Sequence, residues 1–281
     1  LEQVKQLTSD LQAQSNEKVP LFIGIDEEGG DVVRMAEKLT PAPSQKEIGA
    51  TGDIEQAKTW AIKTAKSLKD MGINVNFAPV ADVGSNDKRS YSADANTVID
   101  FVRAATKGYQ QENIIYSLKH FPGIGKGRVD SHVDSSSIDV AKEVLMTEDI
   151  IPFKTIIDEN DPNDYFILVS HLKYPALDEE YPASLSSKIM TDLLRNELGY
   201  KGIIITDDME MGAVANHNDF RSIGVNAVKA GADIVLVCHE YKHQQEVYLG
   251  LLDAVNSGEI SQERIDESVK RIIKVKLLHL Y

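Results

Sequence analysis

The chain has 281 residues, 42% of them hydrophobic, and a formal net charge of −14 at pH 7; this is enough apolar material for one large domain, and an excess of acid that phosphate backbones and anionic lipid repel, which argues against nucleic acid and membrane surfaces as partners. A single cysteine, Cys238, excludes an intrachain disulfide, and neither a zinc-type cysteine spacing nor a GxGxxG loop is present. No apolar run approaches the ~18 residues of a membrane span.

In chain order, residues 1–15 carry apolar residues at helical spacing, and the short run LFIGI (21–25) follows, bounded by Pro20 and by Gly29-Gly30. Residues 55–71 predict a helix ending at Gly72, and NVNFAPV (74–80) a strand. A helix over 96–110 precedes the strand IIYSL (114–118) and a polar, glycine-containing stretch, 123–139. Residues 141–158 predict helix, YFILVS (165–170) a strand, and SSKIMTDLLRNEL (186–198) a helix with Gly199 as its C-cap. GIIIT (202–206), a helix around 219–230, DIVLV (233–237) and two helices, 242–256 and 261–278, complete the chain.

Short buried strands separated by helices indicate a parallel sheet. With no nucleotide-binding glycine loop and no linker, residues 1–281 read as one α/β domain of the (β/α)8 TIM-barrel type. About six strands are found where the closed barrel has more. The chain opens directly with a helix, so the first β/α unit is expected to lie upstream of Leu1. Polar residues gather where strands end: Asp26, Asp82, Lys119-His120, His171 and Asp207. In a barrel these ends share one rim, where catalysis takes place.

Three blocks carry chemistry. In KHFPGIGKGRVDSH (119–132), a glycine-rich loop leads to Asp130-Ser131-His132. A carboxylate two residues from an imidazole can raise its basicity and fix its tautomer; a solvated loop with an incidental Asp-x-His is the plainer reading of the block alone. In GIIITDDMEMG (202–212), an apolar strand runs into Asp207-Asp208. Either carboxylate could cap a helix. One at a strand end is also placed to attack a sugar C1, and alternation along the strand predicts that only one of the two faces the axis. GIDEEGGDVVRM (24–35) places Arg34 eight residues after Asp26, and alone reads as a turn with surface charges.

Together these blocks resemble the β-N-acetylhexosaminidase branch of glycoside hydrolase family 3, the NagZ-type enzymes. IDEEGGDVVR resembles that family's D-Q-E-G-G-R-V-x-R, NVNFAPVADV its N-x-N-F-A-P-V-x-D, and KRSY (88–91) its D-R-S-F. KHFPGIG with the later DSH resembles K-H-F-P-G-H-G…D-S-H, and YPASLS, LGYKG and ITDDMEMGA match further blocks in order. Two positions depart from the pattern: Ile124 stands where the family has the second loop histidine, and Lys88 where it has an acid.

The resemblance implies a retaining, exo-acting enzyme that removes terminal β-linked N-acetylglucosamine from oligosaccharides or peptidoglycan fragments. It implies Asp207 as nucleophile, His132 as acid/base and Asp130 as its partner. Asp26, Arg34, Arg89, Lys119 and His120 would bind the terminal sugar. No cofactor and no metal is expected, and the compartment stays open between cytoplasm and cell envelope. Of the remaining histidines, His171 reads as a supporting group, and His217, His239, His243 and His279 as surface or core-edge residues. Three rivals remain: attack by the substrate's own acetamido oxygen, phosphorolysis, and a sugar-binding barrel without activity.

Overall fold

The computed structural model describes residues 1–15, 19–35, 40–84, 88–127, 137–216 and 219–281. Helix α1 (Glu2–Gln14) leads to β1 (Gly24–Ile25), then α2 (Gln45–Ala50), α3 (Ile54–Lys69), β2 (Val75–Asn76), α4 (Ala95–Gln111) and β3 (Ile115–Phe121). The 141–158 helical pattern forms as α5 (Lys142–Val144), a wide π-type turn Leu145–Asp149, and α6 (Ile151–Glu159). β4 (Tyr165–Val169) precedes an antiparallel hairpin of β5 (Lys173–Tyr174) and β6 (Asp178–Pro182), which the sequence reading did not anticipate. A π-helix Lys188–Glu197, β7 (Ile203–Thr206), α7 (Gly212–Ala215), α8 (Phe220–Ala230), α9 (Tyr241–Ser257) and α10 (Gln262–His279) follow. Side-chain caps set several helix starts: Asp53, Asp94, Asp219 and Ser261 each accept a backbone N–H of the first turn.

The main sheet is parallel, in the order β1-β2-β3-β4-β7. Segment 233–237 extends it as a sixth strand-like run. The N–H groups of Asp233 and Ile234 donate to the Ile204 carbonyl, and those of Thr206 and Met209 to the carbonyls of Ile234 and Leu236. Strand alternation sorts the side chains onto two faces. Val75, Ile115, Phe166, Leu168, Ile203 and Ile205 share one buried cluster with Phe22, Phe77, Ile234 and Leu236. That single cluster draws on β2, β3, β4, β7 and the 233–237 run, with Phe22 just ahead of β1, as the interior of a curled sheet must, and gives an incomplete barrel. The opposite face, with Tyr116, Leu118, Tyr165, Ile167, Val169 and Ile204, packs against the helices.

α10 closes the interior from one end. Val275 and Ile272 join the inner cluster, and Lys276 Nζ lies 4.8 Å from the centre of the Phe22 ring. Asp233, buried at the start of the last strand-like run, anchors this helix: it accepts from Arg271 (2.9 Å), from Ser268 (2.6 Å) and from Arg195, and from the Ile204 amide at 3.0 Å. On the outer face four tyrosines, Tyr109, Tyr116, Tyr165 and Tyr200, stack in sequence with ring centres 6.0, 5.2 and 5.4 Å apart.

Candidate active site

The strand ends converge as the alternating pattern requires. Asp26, Arg34, Arg89, Lys119, His120 and Asp207 line one cavity of about 610 Å³. Asp130 and His132 lie outside the described residues.

Asp26 leaves β1 and accepts a hydrogen bond from Lys119 Nζ at 2.5 Å, while Arg34 Nη2 stands 3.8 Å from its other oxygen. Arg34 is brought there by a tight turn at Gly29-Gly30, both at positive φ. A Cβ on Gly29 would meet the Pro43 carbonyl oxygen at 2.5 Å, so only glycine fits. Glu27, buried beneath the turn, accepts the Arg34 N–H at 2.9 Å; burial pushes its carboxyl up from the ordinary range. Glu28, not assigned a role from sequence, is the hub of the cation array. Its carboxylate accepts from Arg89 Nε and Nη2 (3.0 and 2.8 Å) and pairs with Lys119 at 2.6 Å. Burial opposes its charge, but Lys119 and Arg89 outweigh it and hold the carboxyl at about 2. Lys119 is buried too; its two carboxylate partners, Glu28 and Asp26, overcome that desolvation and raise its pKa.

His120 is fixed at both ring nitrogens. Arg89 Nη2 sits 2.8 Å from Nε2, and a guanidinium only donates, so Nε2 accepts. Nδ1–H is then the donor to Asp82 Oδ2 at 2.8 Å. Asp82 also accepts the His120 and Ile124 amides, which ties the start of the glycine loop to the end of the preceding strand-like segment. The spacing of Glu28 from Asp26 was readable: residues two apart in an extended segment share a side. Asp82 was visible as a strand-end acid, but its partner could be recognised only in three dimensions.

Asp207 continues β7, its N–H donating to the Val169 carbonyl at 2.9 Å. Its Oδ1 accepts the Asp208 amide at 2.9 Å. Burial disfavours its charge, yet His171, His120, the Asp208 amide and Lys119 together hold its carboxyl below the usual range. His171 is buried behind it. Nε2–H donates to the Asp208 carbonyl at 2.8 Å, and Ser184 hydroxyl lies 2.7 Å from Nδ1. Burial lowers the His171 pKa against the opposing pull of the Asp207 carboxylate.

Alternation predicted that only one of the pair would face the axis; both residues line the cavity. The chain leaves strand geometry at once after Asp207, and Asp208 Oδ1 accepts the amides of Glu210 and Cys238. Asp208 thus takes the turn-stabilising part that the sequence left open for either acid. His239, read as a surface residue, lines the cavity mouth. His243 stacks on Phe220, ring centres 3.8 Å apart, and pairs with Glu210 at 2.7 Å. Among the described residues no group of three or more histidine, cysteine or carboxylate side chains is arranged to hold a metal ion, and no helix is long and apolar enough to cross a membrane.

The chain is similar to several known proteins. A beta-hexosaminidase A of Pseudoalteromonas piscicida is 35% identical over 305 aligned positions, covering 98% of this chain and 50% of that protein. The beta-hexosaminidase LpqI of Mycobacterium tuberculosis is 31% identical, covering 92% and 68%. The solved structure of a glycoside hydrolase family 3 beta-N-acetylglucosaminidase from Paenibacillus superposes with a TM-score of 0.95 at 38% identity, over 99% of this chain and 54% of that one. The chain therefore spans about half the length of the first and last of these relatives. Residues 1–275 match the model of the glycosyl hydrolase family 3 N-terminal domain, and the chain belongs to that family.

Proposed function

We propose that the chain carries the active site of a retaining β-N-acetylglucosaminidase that removes terminal β-linked N-acetylglucosamine from oligosaccharides or peptidoglycan fragments. The observation that carries this reading is the placement of Asp207 at a strand end, in one cavity with the array of Asp26, Arg34, Arg89, Lys119 and His120. The names of the relatives support the choice of sugar.

In this mechanism Asp207 attacks C1 and displaces the leaving oxygen, which takes a proton from His132. The glycosyl-enzyme ester is then hydrolysed by water, from which His132 removes a proton. Asp130 stabilises the imidazolium and fixes the tautomer. Asp26 accepts from ring hydroxyls, and Lys119, Arg34 and Arg89 donate. Such contacts lower the barrier where they strengthen in the oxocarbenium-like transition state. Water as the acceptor is favoured over phosphate by the cavity's charge: Asp26, Glu28, Asp207, Asp208 and Glu210 outnumber Arg34, Arg89 and Lys119.

A fluorinated N-acetylglucosaminyl donor that slows the second step tests the reading. Mass spectrometry of the digested adduct is expected to place the sugar on the peptide bearing Asp207. An adduct elsewhere, or turnover through an oxazoline with no adduct, would overturn it. His132→Ala should lose far more rate on a GlcNAc disaccharide than on a dinitrophenyl glycoside, because general acid catalysis contributes ~10²–10⁴-fold and a poor leaving group needs it most.

A further inference from the structure

The groups assigned to the terminal sugar come from β3 and from the turns after β1 and β2. Past Asp207 the cavity wall is built differently. Asp208, Met211 and His239 line it, supplied by the turn after β7 and by the end of the 233–237 run. The proposed chemistry uses none of their side chains.

These residues are held in place. Asp208 Oδ1 is fixed by the amides of Glu210 and Cys238, and its Oδ2 lies 3.1 Å from His239 Nε2. The His239 and Glu240 amides both donate to the Glu210 carboxylate, so the backbone at the cavity lip is clamped to the turn behind Asp207. The His239 side chain is nevertheless 73% exposed. An imidazole oriented by a buried carboxylate, yet left uncovered at the mouth of a cavity, is a preorganised polar contact. Met211, half-buried and lining the same cavity, offers a soft apolar surface.

We infer that His239, Asp208 and Met211 form an acceptor subsite for the sugar ring on the leaving-group side of the scissile bond. This rests on Asp207 being the group that attacks C1. A pyranose presents an apolar C–H face and a rim of hydroxyls. Met211 packs against the face, and the His239–Asp208 pair hydrogen-bonds the hydroxyls. The enzyme then prefers a disaccharide over a glycoside whose aglycone is a small alcohol, although both leaving groups are alkoxides.

The test measures binding, so that it stands apart from turnover. Asp207→Asn protein, which keeps the substrate intact, is titrated calorimetrically with N,N′-diacetylchitobiose and with methyl β-N-acetylglucosaminide. It is expected to bind the disaccharide more tightly, and Asp207→Asn/His239→Ala to lose about five- to tenfold of that preference, the scale of one lost hydrogen bond. Met211→Ala in the same background should lose part of it through the apolar face. An unchanged preference in both double variants, with both sugars still bound, would overturn the subsite alone. Binding of neither sugar would overturn it together with the proposed function.

Discussion

At the level of single residues, charge on the two key carboxylates is set by neighbours more than by burial. Asp207→Asn is expected to lower turnover of β-N-acetylglucosaminides by roughly 10³-fold or more, since the first step loses its nucleophile. Asp208→Ala should retain more activity, because that carboxylate holds backbone amides of the turn. Equal, mild losses in steady-state rates at both positions would remove Asp207 from its role. Glu28 gives a pH prediction. Its folded carboxyl lies at about 2, below the ordinary 4.5. A depressed acid stabilises the fold fully above its unfolded pKa and loses that contribution as pH falls through the folded one. Glu28→Gln should therefore be less stable than the unmodified chain at neutral pH, with the gap in denaturation midpoint narrowing between pH 4.5 and 2. A gap that stays constant across that window would show that Glu28 does not titrate as argued.

Among elements, α10 and the run at 233–237 depend on each other through Asp233. Removing one partner from a buried ion cluster leaves the others uncompensated, so Asp233→Ala should destabilise the protein by about 3–5 kcal/mol. Chemical denaturation measures this; a loss below that of an ordinary surface substitution would mean that Arg195 and Arg271 find other partners. Most elements were legible in the sequence. α3, α4, α9 and α10 fall within a residue or two of the helices expected, because an amphipathic pattern and a capping Asp or Ser announce each of the first two and the last. The β5–β6 hairpin was not legible: residues 173–182 are short, charged and proline-bearing, and lack strand alternation. The helix expected over 186–198 forms as a π-helix, Lys188–Glu197. Its buried Ile189, Met190, Leu193 and Leu194 fit either winding, so periodicity could not separate them. For the site, each strand-end residue was visible because a polar side chain follows an apolar run. Glu28 shares a side with Asp26 by its spacing, but nothing in an acidic run marks it as the hub of the cations; His239 is exposed as expected, and only its pairing with Asp208 had to await three dimensions.

For the molecule as a whole, the excess of acid and the carboxylate-rich cavity act in one direction. Added inorganic phosphate, at matched ionic strength, is expected to leave the rate unchanged and to yield free N-acetylglucosamine without a sugar 1-phosphate; accumulation of the phosphate ester in chromatography of the products would reverse that reading. The stack of Tyr109, Tyr116, Tyr165 and Tyr200 has an optical consequence. Four aromatic chromophores within 6.0 Å of their neighbours, held by α4, β3, β4 and the turn before β7, couple as transition dipoles. Their near-ultraviolet circular dichroism reports packing across the outer face of the sheet. The single tryptophan, Trp60, half-buried on α3 with Lys63 over its ring, reports by fluorescence on a different helix. The chain thus carries two intrinsic probes on different elements of one core, and coincident melting of the dichroic band and the emission would show those elements coming apart as a single cooperative unit.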